Sequence, residues 1–255
     1  MVSSDCQTIA AWLAEARCAA AFTGAGMSTE SGIPDFRSPG GIWSKYQPIG
    51  FAEFMSSAEA RYEYWRRKCE GYPAFADAEP NAGHRALARW ESIDRLAGVI
   101  TQNIDGLHQM AGNQRVMELH GTDREVECLD CRKRYEIGPM IDQFQEQQAV
   151  PACAACGSRL MKHATISFGQ PLAPSVLQAA LALTKQVDLM IVLGSSLVVE
   201  PAASLPRKAK QNGARLVIIN REPTPQDSLA DLVLHEAIGE TLTGIDTAVE
   251  ERLKA

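Results

Sequence analysis

Ala19-Ala20-Ala21-Phe22-Thr23 runs directly into Gly24-Ala25-Gly26-Met27-Ser28-Thr29. A short apolar run closed by glycines reads as a buried strand followed by a tight turn. Glycine lets the backbone approach a pyrophosphate, and the amides of such a turn face the anion. Two features separate this stretch from a hydride-transfer site. Thr29 stands where the third fingerprint glycine would fall, and Lys45 and Tyr46 occupy the region where the ribose-binding acid would end a second strand. Dinucleotide binding fits; a dehydrogenase does not.

Further apolar runs predict strands at 98–102, 116–119, 189–193, 216–220 and 232–234. Helical patterns fall between them at 82–92, 175–185 and 201–212, and a last helix places Leu242, Ile245, Val249 and Leu253 on one face. Alternating strands and helices predict an α/β fold, a doubly wound, Rossmann-like parallel sheet. Open parallel sheets bind ligands outside the carboxyl ends of their strands. Polar residues occupy those ends here: Gly194-Ser195-Ser196 after 189–193, and Asn220-Arg221-Glu222 after 216–220. The other two ends carry Gln102-Asn103-Ile104-Asp105-Gly106-Leu107-His108 and His120-Gly121-Thr122. His120 is a catalytic candidate because it sits between an apolar strand and the cysteine region. His84 and His108, within or beside helices, read as structural; His163 and His235 read as peripheral.

Two stretches interrupt the alternation. Residues 40–78 are rich in glycine, proline and aromatics, with a helix whose Phe54, Ala58, Tyr62, Trp65 and Cys69 share a face. Residues 121–165 hold Cys128-x2-Cys131 and Cys153-x2-Cys156, a doubled knuckle pattern that suits tetrahedral Zn2+. Four protein ligands leave no open position, so the metal would be structural. Gly157 permits the turn after the last ligand. Cys6, Cys18 and Cys69 read as packing residues. The predicted organisation is a nucleotide-binding domain of 1–120 and 166–255, with a helical insertion at about 40–78 and a small zinc-binding module at 121–165.

The net charge of -6 disfavours direct nucleic-acid binding and leaves room for a basic peptide partner. The small cluster Arg132-Lys133-Arg134 reads as a solvated turn. No apolar run reaches the ~18–20 residues of a membrane span. The N-terminal stretch does not read as a signal peptide, and paired cysteines with an odd total of 7 fit a reducing cytoplasm.

In order along the chain, Gly24–Ser28, Gly32-Ile33-Pro34-Asp35-Phe36-Arg37, Thr101–His108, Glu118-Leu119-His120-Gly121, the doubled cysteine pair, and Gly194-Ser195-Ser196-Leu197 with Pro201 resemble the sirtuin family. The resemblance implies an NAD-dependent protein lysine deacylase, with NAD as co-substrate and an acyl-lysine protein or peptide as partner. It implies that Gly24, Ala25, Gly26 and Ser28 bind the pyrophosphate, and that Asp35, Phe36 and Arg37 form a cofactor loop. Gln102, Asn103, Ile104 and Asp105 would meet the nicotinamide ribose and nicotinamide. Gly194, Ser195, Ser196, Asn220, Arg221, Glu222 and the backbone at Ile238 would hold the adenosine half. His120 would be the general base, with Asn103 beside it in the chemistry. The acyl oxygen would attack C1′ as nicotinamide leaves, and His120 would then take a proton from a ribose hydroxyl.

Phe168 and Gly169 would border the peptide. Gln170 follows them where many sirtuins carry Glu, which removes a charge near the peptide cleft. Tyr64 and Arg67 match the Tyr-x-x-Arg spacing of sirtuins that remove acidic acyl groups. Asp35 argues the other way, since those enzymes commonly lack it, and a solvated helix turn with Tyr64 packed competes for the same residues. Two other functions remain open at this stage. A mono-ADP-ribosyltransferase would use the same NAD site with a protein nucleophile, and a zinc-knuckle binding module would need no catalysis at all.

Overall fold

The computed structural model describes residues 2–38 and 40–254. The chain opens with α1 (Ser4–Glu15) and β1 (Ala19–Thr23), followed by a 3-10 turn over Ala25–Ser31. Next come α2 (Phe51–Ser56), α3 (Ala58–Ala76), α4 (Ala82–Ser92), β2 (Val99–Thr101), α5 (Leu107–Ala111) and β3 (Val116–Glu118). The cysteine region holds β4 (Gly121–Cys128), β5 (Arg134–Glu136), α6 (Ile137–Gln147) and β6 (Met161–Thr165). The chain closes with α7 (Pro174–Gln186), β7 (Leu189–Leu193), α8 (Ser204–Gln211), β8 (Arg215–Ile219), β9 (Leu232–Leu234) and α9 (Ile238–Lys254).

Six strands form one parallel sheet in the order β3-β2-β1-β7-β8-β9. From β1 the chain first builds outward through β2 and β3, then returns to β7 and builds outward the other way. The order therefore reverses between β1 and β7, which is where an open parallel sheet leaves a crevice for a ligand. Every residue of β1 and β7 is buried. Strand alternation sends Ala19, Ala21, Leu189 and Ile191 to one face, under Leu13 of α1, Trp90 of α4 and Ile245 of α9. Ala20, Phe22, Met190 and Val192 face the other layer, under Ala180 of α7 and Leu205 of α8. Each large apolar side chain buried this way contributes about 1.5–3 kcal/mol. These are the doubly wound layers that the sequence predicts.

A second, antiparallel sheet has the order β5-β4-β6. Its apolar face is shared with the 40–78 insertion: Trp65 and Tyr64 of α3 and Phe144 of α6 pack with Val126 and Met161. Trp65 Nε1 donates to the Met161 carbonyl at 2.8 Å. The insertion departs from the single helix expected. Ser57 is extended, and its hydroxyl accepts the Ala60 amide, so α2 stops and α3 restarts in a new phase. The buried stripe of α3 is accordingly Ala60, Tyr64, Trp65 and Cys69. Ala58 is exposed and Tyr62 is half out, against Phe144. Phe54 meets this stripe from α2, edge-on to Tyr64 at 5.1 Å.

Candidate active site and four-cysteine centre

Two turns meet at the switch point. The Gly24 amide donates to Leu193 O at 3.0 Å and the Gly26 amide to Gly194 O at 2.9 Å. A Cβ on Gly24 would lie 2.7 Å from Gly194 O, and one on Gly26 2.8 Å from Gly194 Cα, so neither position tolerates a side chain without moving the other turn. Gly194 itself is left-handed at φ +61°. The two glycine motifs, far apart in sequence, are thus halves of one surface.

Beside them the end of β2 supplies a polar cluster. Ser28 Oγ donates to Asp105 Oδ2 at 2.7 Å. Asn103 Nδ2 donates to Ser28 Oγ at 3.2 Å and to Gly24 O at 3.0 Å. Gln102 Nε2 donates to Ser195 Oγ at 2.8 Å, joining the β2 and β7 ends. Burial pushes the Asp105 carboxyl up, opposed by its bonds from Ser28 and the Leu107 amide. Beneath lies a support in which sequence reasoning assigned Thr23 and Thr101 no role of their own and read His84 and His108 as structural. Thr23 Oγ1 donates to Thr101 Oγ1 at 2.7 Å, and Thr101 Oγ1 accepts the Asn103 amide at 3.0 Å. Thr23 also faces His108 Nε2 at 2.9 Å, and the His108 ring lies 4.8 Å from that of His84. The available signal was a threonine ending each of two apolar strands.

His120 follows β3. Its Nδ1 lies 3.0 Å from the Gln102 carbonyl. A carbonyl only accepts, so Nδ1 carries the proton and Nε2 of the neutral ring keeps its lone pair. Burial holds this imidazole below its ordinary value, outweighing the carbonyl bond that raises it.

The remaining predicted residues fall around this centre. Asp35 Oδ1 accepts the amides of Arg37 and Ser38 at 3.0 and 2.8 Å, folding the segment that carries Phe36 into an Asx-type turn. Ser195 is buried and Ser196 half-buried at the β7 end. Asn220 Nδ2 donates to Glu222 O at 2.6 Å across a short turn, with Arg221 exposed. Ile104 lies in the β2 loop, and Ile238 is the buried first residue of α9. The next amide, Gly239, donates to Glu30 Oε1 at 3.0 Å, a tie that fixes α9 to the glycine turn and was not anticipated. Phe168 is 51% exposed, and its carbonyl accepts the Phe51 amide, so the Phe168–Gly169 turn is hooked to the helical insertion. Tyr64 is buried against Phe54 and His163. Arg67 bonds Glu63 and the Gln47 carbonyl, each at 2.6 Å, and covers the Tyr46 ring.

His163 corrects the sequence expectation. It is 2% exposed, not peripheral, and Nδ1 lies 2.6 Å from Asp123 Oδ1. Its partner stands on another strand, which no local pattern reveals. His235 is exposed, as expected, with Nδ1 2.8 Å from the Asn220 carbonyl.

The sulfurs of Cys128, Cys131, Cys153 and Cys156 all lie within 4.8 Å of one another. Cys128–Cys156 and Cys131–Cys153 are each 3.6 Å apart. A tetrahedron with Zn–S near ~2.3 Å requires S···S edges of ~3.8 Å, so the cluster is compatible with one structural zinc. The two knuckles repeat one geometry: Arg132 and Gly157, each following its pair, are left-handed at φ 66° and 77°.

A parallel sheet whose order reverses between β1 and β7, polar strand ends with His120 Nε2 left to accept a proton, and a four-thiol cluster that fits zinc define an α/β protein built like a nucleotide-binding domain with a cysteine module. A model of the Sir2 family matches residues 24–201. An NAD-dependent protein deacetylase of Rhodopseudomonas palustris is 49% identical over 243 residues, spanning 94% of this chain and 96% of that protein. NAD-dependent protein deacetylase 1 of Bradyrhizobium diazoefficiens is 51% identical over 232 residues, spanning 90% and 91%. A solved complex of Sir2 with a p53 peptide and NAD+ superposes with a TM-score of 0.86 at 38% identity, covering 97% of this chain and 98% of that one. The chain belongs to the Sir2, or sirtuin, family.

Proposed function

We propose that this protein is an NAD-dependent protein lysine deacylase that transfers a neutral acyl group, acetyl first, to ADP-ribose and releases nicotinamide. The observation that carries this is the His120 geometry, a half-buried ring whose Nδ1 is committed to the carbonyl of Gln102, the residue before Asn103, which leaves Nε2 to accept a proton. Bound NAD would supply an electrophilic C1′ at its nicotinamide ribose. The Gly24–Ser28 and Gly194–Ser196 turns would hold its pyrophosphate and adenosine side, with Asn220, Arg221, Glu222 and Ile238 at the far end. Gln102, Asn103, Ile104 and Asp105 would orient the reacting ribose, and the Asp35–Arg37 segment would cover it. His120 Nε2 would take the hydroxyl proton. An imidazole kept neutral by burial can do so at pH 7, where general-base catalysis contributes about 10²–10⁴-fold.

Phe168 and Gly169 would border the acyl-lysine peptide. The burial of Tyr64 and the engagement of Arg67 with Glu63 support a packing role for that pair and argue against an acidic acyl group. Zinc would serve the cysteine module as structure. No helix of the described residues is long and apolar enough to cross a membrane. The cysteines, free of disulfides, support a reducing cytoplasm as the working compartment, and the net charge of -6 disfavours a direct nucleic-acid partner.

Acetyl-, succinyl- and long-chain-acyl-lysine peptides incubated with the protein and NAD test this directly. Nicotinamide release and O-acyl-ADP-ribose should both appear, fastest with the acetyl peptide. ADP-ribose left covalently on protein, with no O-acyl-ADP-ribose, would overturn the deacylase in favour of ADP-ribosyl transfer.

A further inference from the structure

Between the helical insertion and the end of β2 lies a charged cluster that the proposed chemistry does not use. Asp123, on β4, places Oδ1 2.7 Å from Lys68 Nζ and 2.6 Å from His163 Nδ1, with Oδ2 2.8 Å from the same Lys68. Lys68 belongs to α3 and His163 to β6. Asp123 is 9% exposed. A carboxylate out of water in this way is tolerated only when paired and hydrogen-bonded.

The same short segment grips the β2 loop. The Asp123 amide donates to Ile104 O at 2.8 Å. Arg124 Nε donates to Asp105 O at 2.7 Å, while its guanidinium lies 4.7 Å over the Phe75 ring of α3. His120 Nδ1 donates to Gln102 O. Carbonyls at 102, 104 and 105 are therefore all held from residues 120–124, and it is this loop that presents Asn103 and Asp105.

We propose that Asp123 is a positioning residue: paired with Lys68 and His163, it anchors the start of β4 and, with Arg124, sets the Asn103–Asp105 loop in register with His120. This rests on the deacylase function proposed above. The ion pair carries the helical insertion's position into the loop, because Lys68 reaches Asp123 from α3 and the Asp123 backbone reaches Ile104. Asparagine in its place keeps the shape but loses the charge, leaving Lys68 and His163 facing a weaker acceptor. The loop then loses its fixed alignment, and a misplacement near 1 Å can cost on the order of 10²-fold in rate.

Asp123→Asn should lower kcat for deacylation and the rate of nicotinamide exchange together, by about 10- to 100-fold, at a temperature where the variant is folded and holds full zinc. Lys68→Met should do the same. Lys68→Arg should recover at least half of that loss, since a guanidinium can also give two donors to a carboxylate. In both damaged variants, amide hydrogen exchange across 102–107 should quicken. A lowered Tm with wild-type kcat, KM and loop protection would reduce Asp123 to packing and overturn the proposal. Loss of deacylation with intact exchange would also overturn it, because the effect would then fall on His120 alone. Should the wild-type chain make no O-acyl-ADP-ribose, the deacylase assignment fails by itself. Loop protection in Asp123→Asn still decides the anchoring: unchanged protection sinks it, quickened exchange sustains it.

Discussion

In the parallel sheet every side chain of β1, β7 and the inner four residues of β8 is buried, whereas β5 of the small sheet is exposed at both ends and only half-covered between. Helices cover the large sheet on both faces, so the middles of its central strands are apolar and polar residues such as Thr23 and Thr101 gather at the strand ends. The small sheet has one core face, shared with α3 and α6, and its remaining order comes from four thiols and a buried ion cluster. The large sheet therefore places functional groups by ending; the small sheet holds them by charge. A perturbation that removes a charge or a metal should damage the second, and the β2 loop it holds, while leaving the buried strands of the first protected.

The largest expected effect is loss of the metal. Zinc sites of this kind contribute on the order of 10 kcal/mol of binding free energy, and that energy is folding energy. Cys128→Ala should lose stoichiometric zinc and expose residues 121–165 to proteolysis and hydrogen exchange, while the amides of β1 and β7 stay protected. Freshly purified protein without zinc, or a Cys128→Ala variant with unchanged zinc content, would break the contrast between the sheets.

Acid probes the large sheet's rim. His84 is held down to about 4 and His108 to about 3, in both cases by burial, followed by the nearby positive charge of Arg85 for His84 and the His84 ring for His108. Glu30 pulls His84 slightly the other way. The unfolded chain takes up these protons near ~6.5 and the folded chain does not. Stability is therefore full above pH 6.5 and falls as pH drops toward 4, by about 1.4 kcal/mol per pH unit for each histidine. Tm measured from pH 7 to 5 should fall, and His84→Gln should flatten the slope. A flat wild-type profile over that window would mean that neither histidine is buried neutral.

What the sequence made legible follows the same division. β1 and β7 could be read because both faces are buried and the run is apolar, broken in β1 only at its last residue, Thr23. His120 could be read because it interrupts such a pattern at a strand end. The cysteine pairs declare themselves by spacing. Ser57 was missed because its capping hydroxyl breaks a helix whose apolar periodicity is continuous only if Ala58 and Tyr62 are counted inward. Lys68, Asp123 and His163 lie on three separate elements, and Glu30 meets Gly239 across nearly the whole chain. Pairings of that kind depend on the folded topology and leave no local mark.

The central claim, that the strand ends divide the chemistry between the β2 loop and His120, is tested most directly by separating the two steps in variants that still bind NAD. Labelled nicotinamide exchange into NAD, in the presence of acetyl-lysine peptide, reports the first step, and O-acetyl-ADP-ribose reports completion. His120→Ala should lose completion by about 10²–10⁴-fold while exchange persists, and Asn103→Ala should lose both. A folded, NAD-binding His120→Ala protein that completes deacetylation at near wild-type rate would contradict the account.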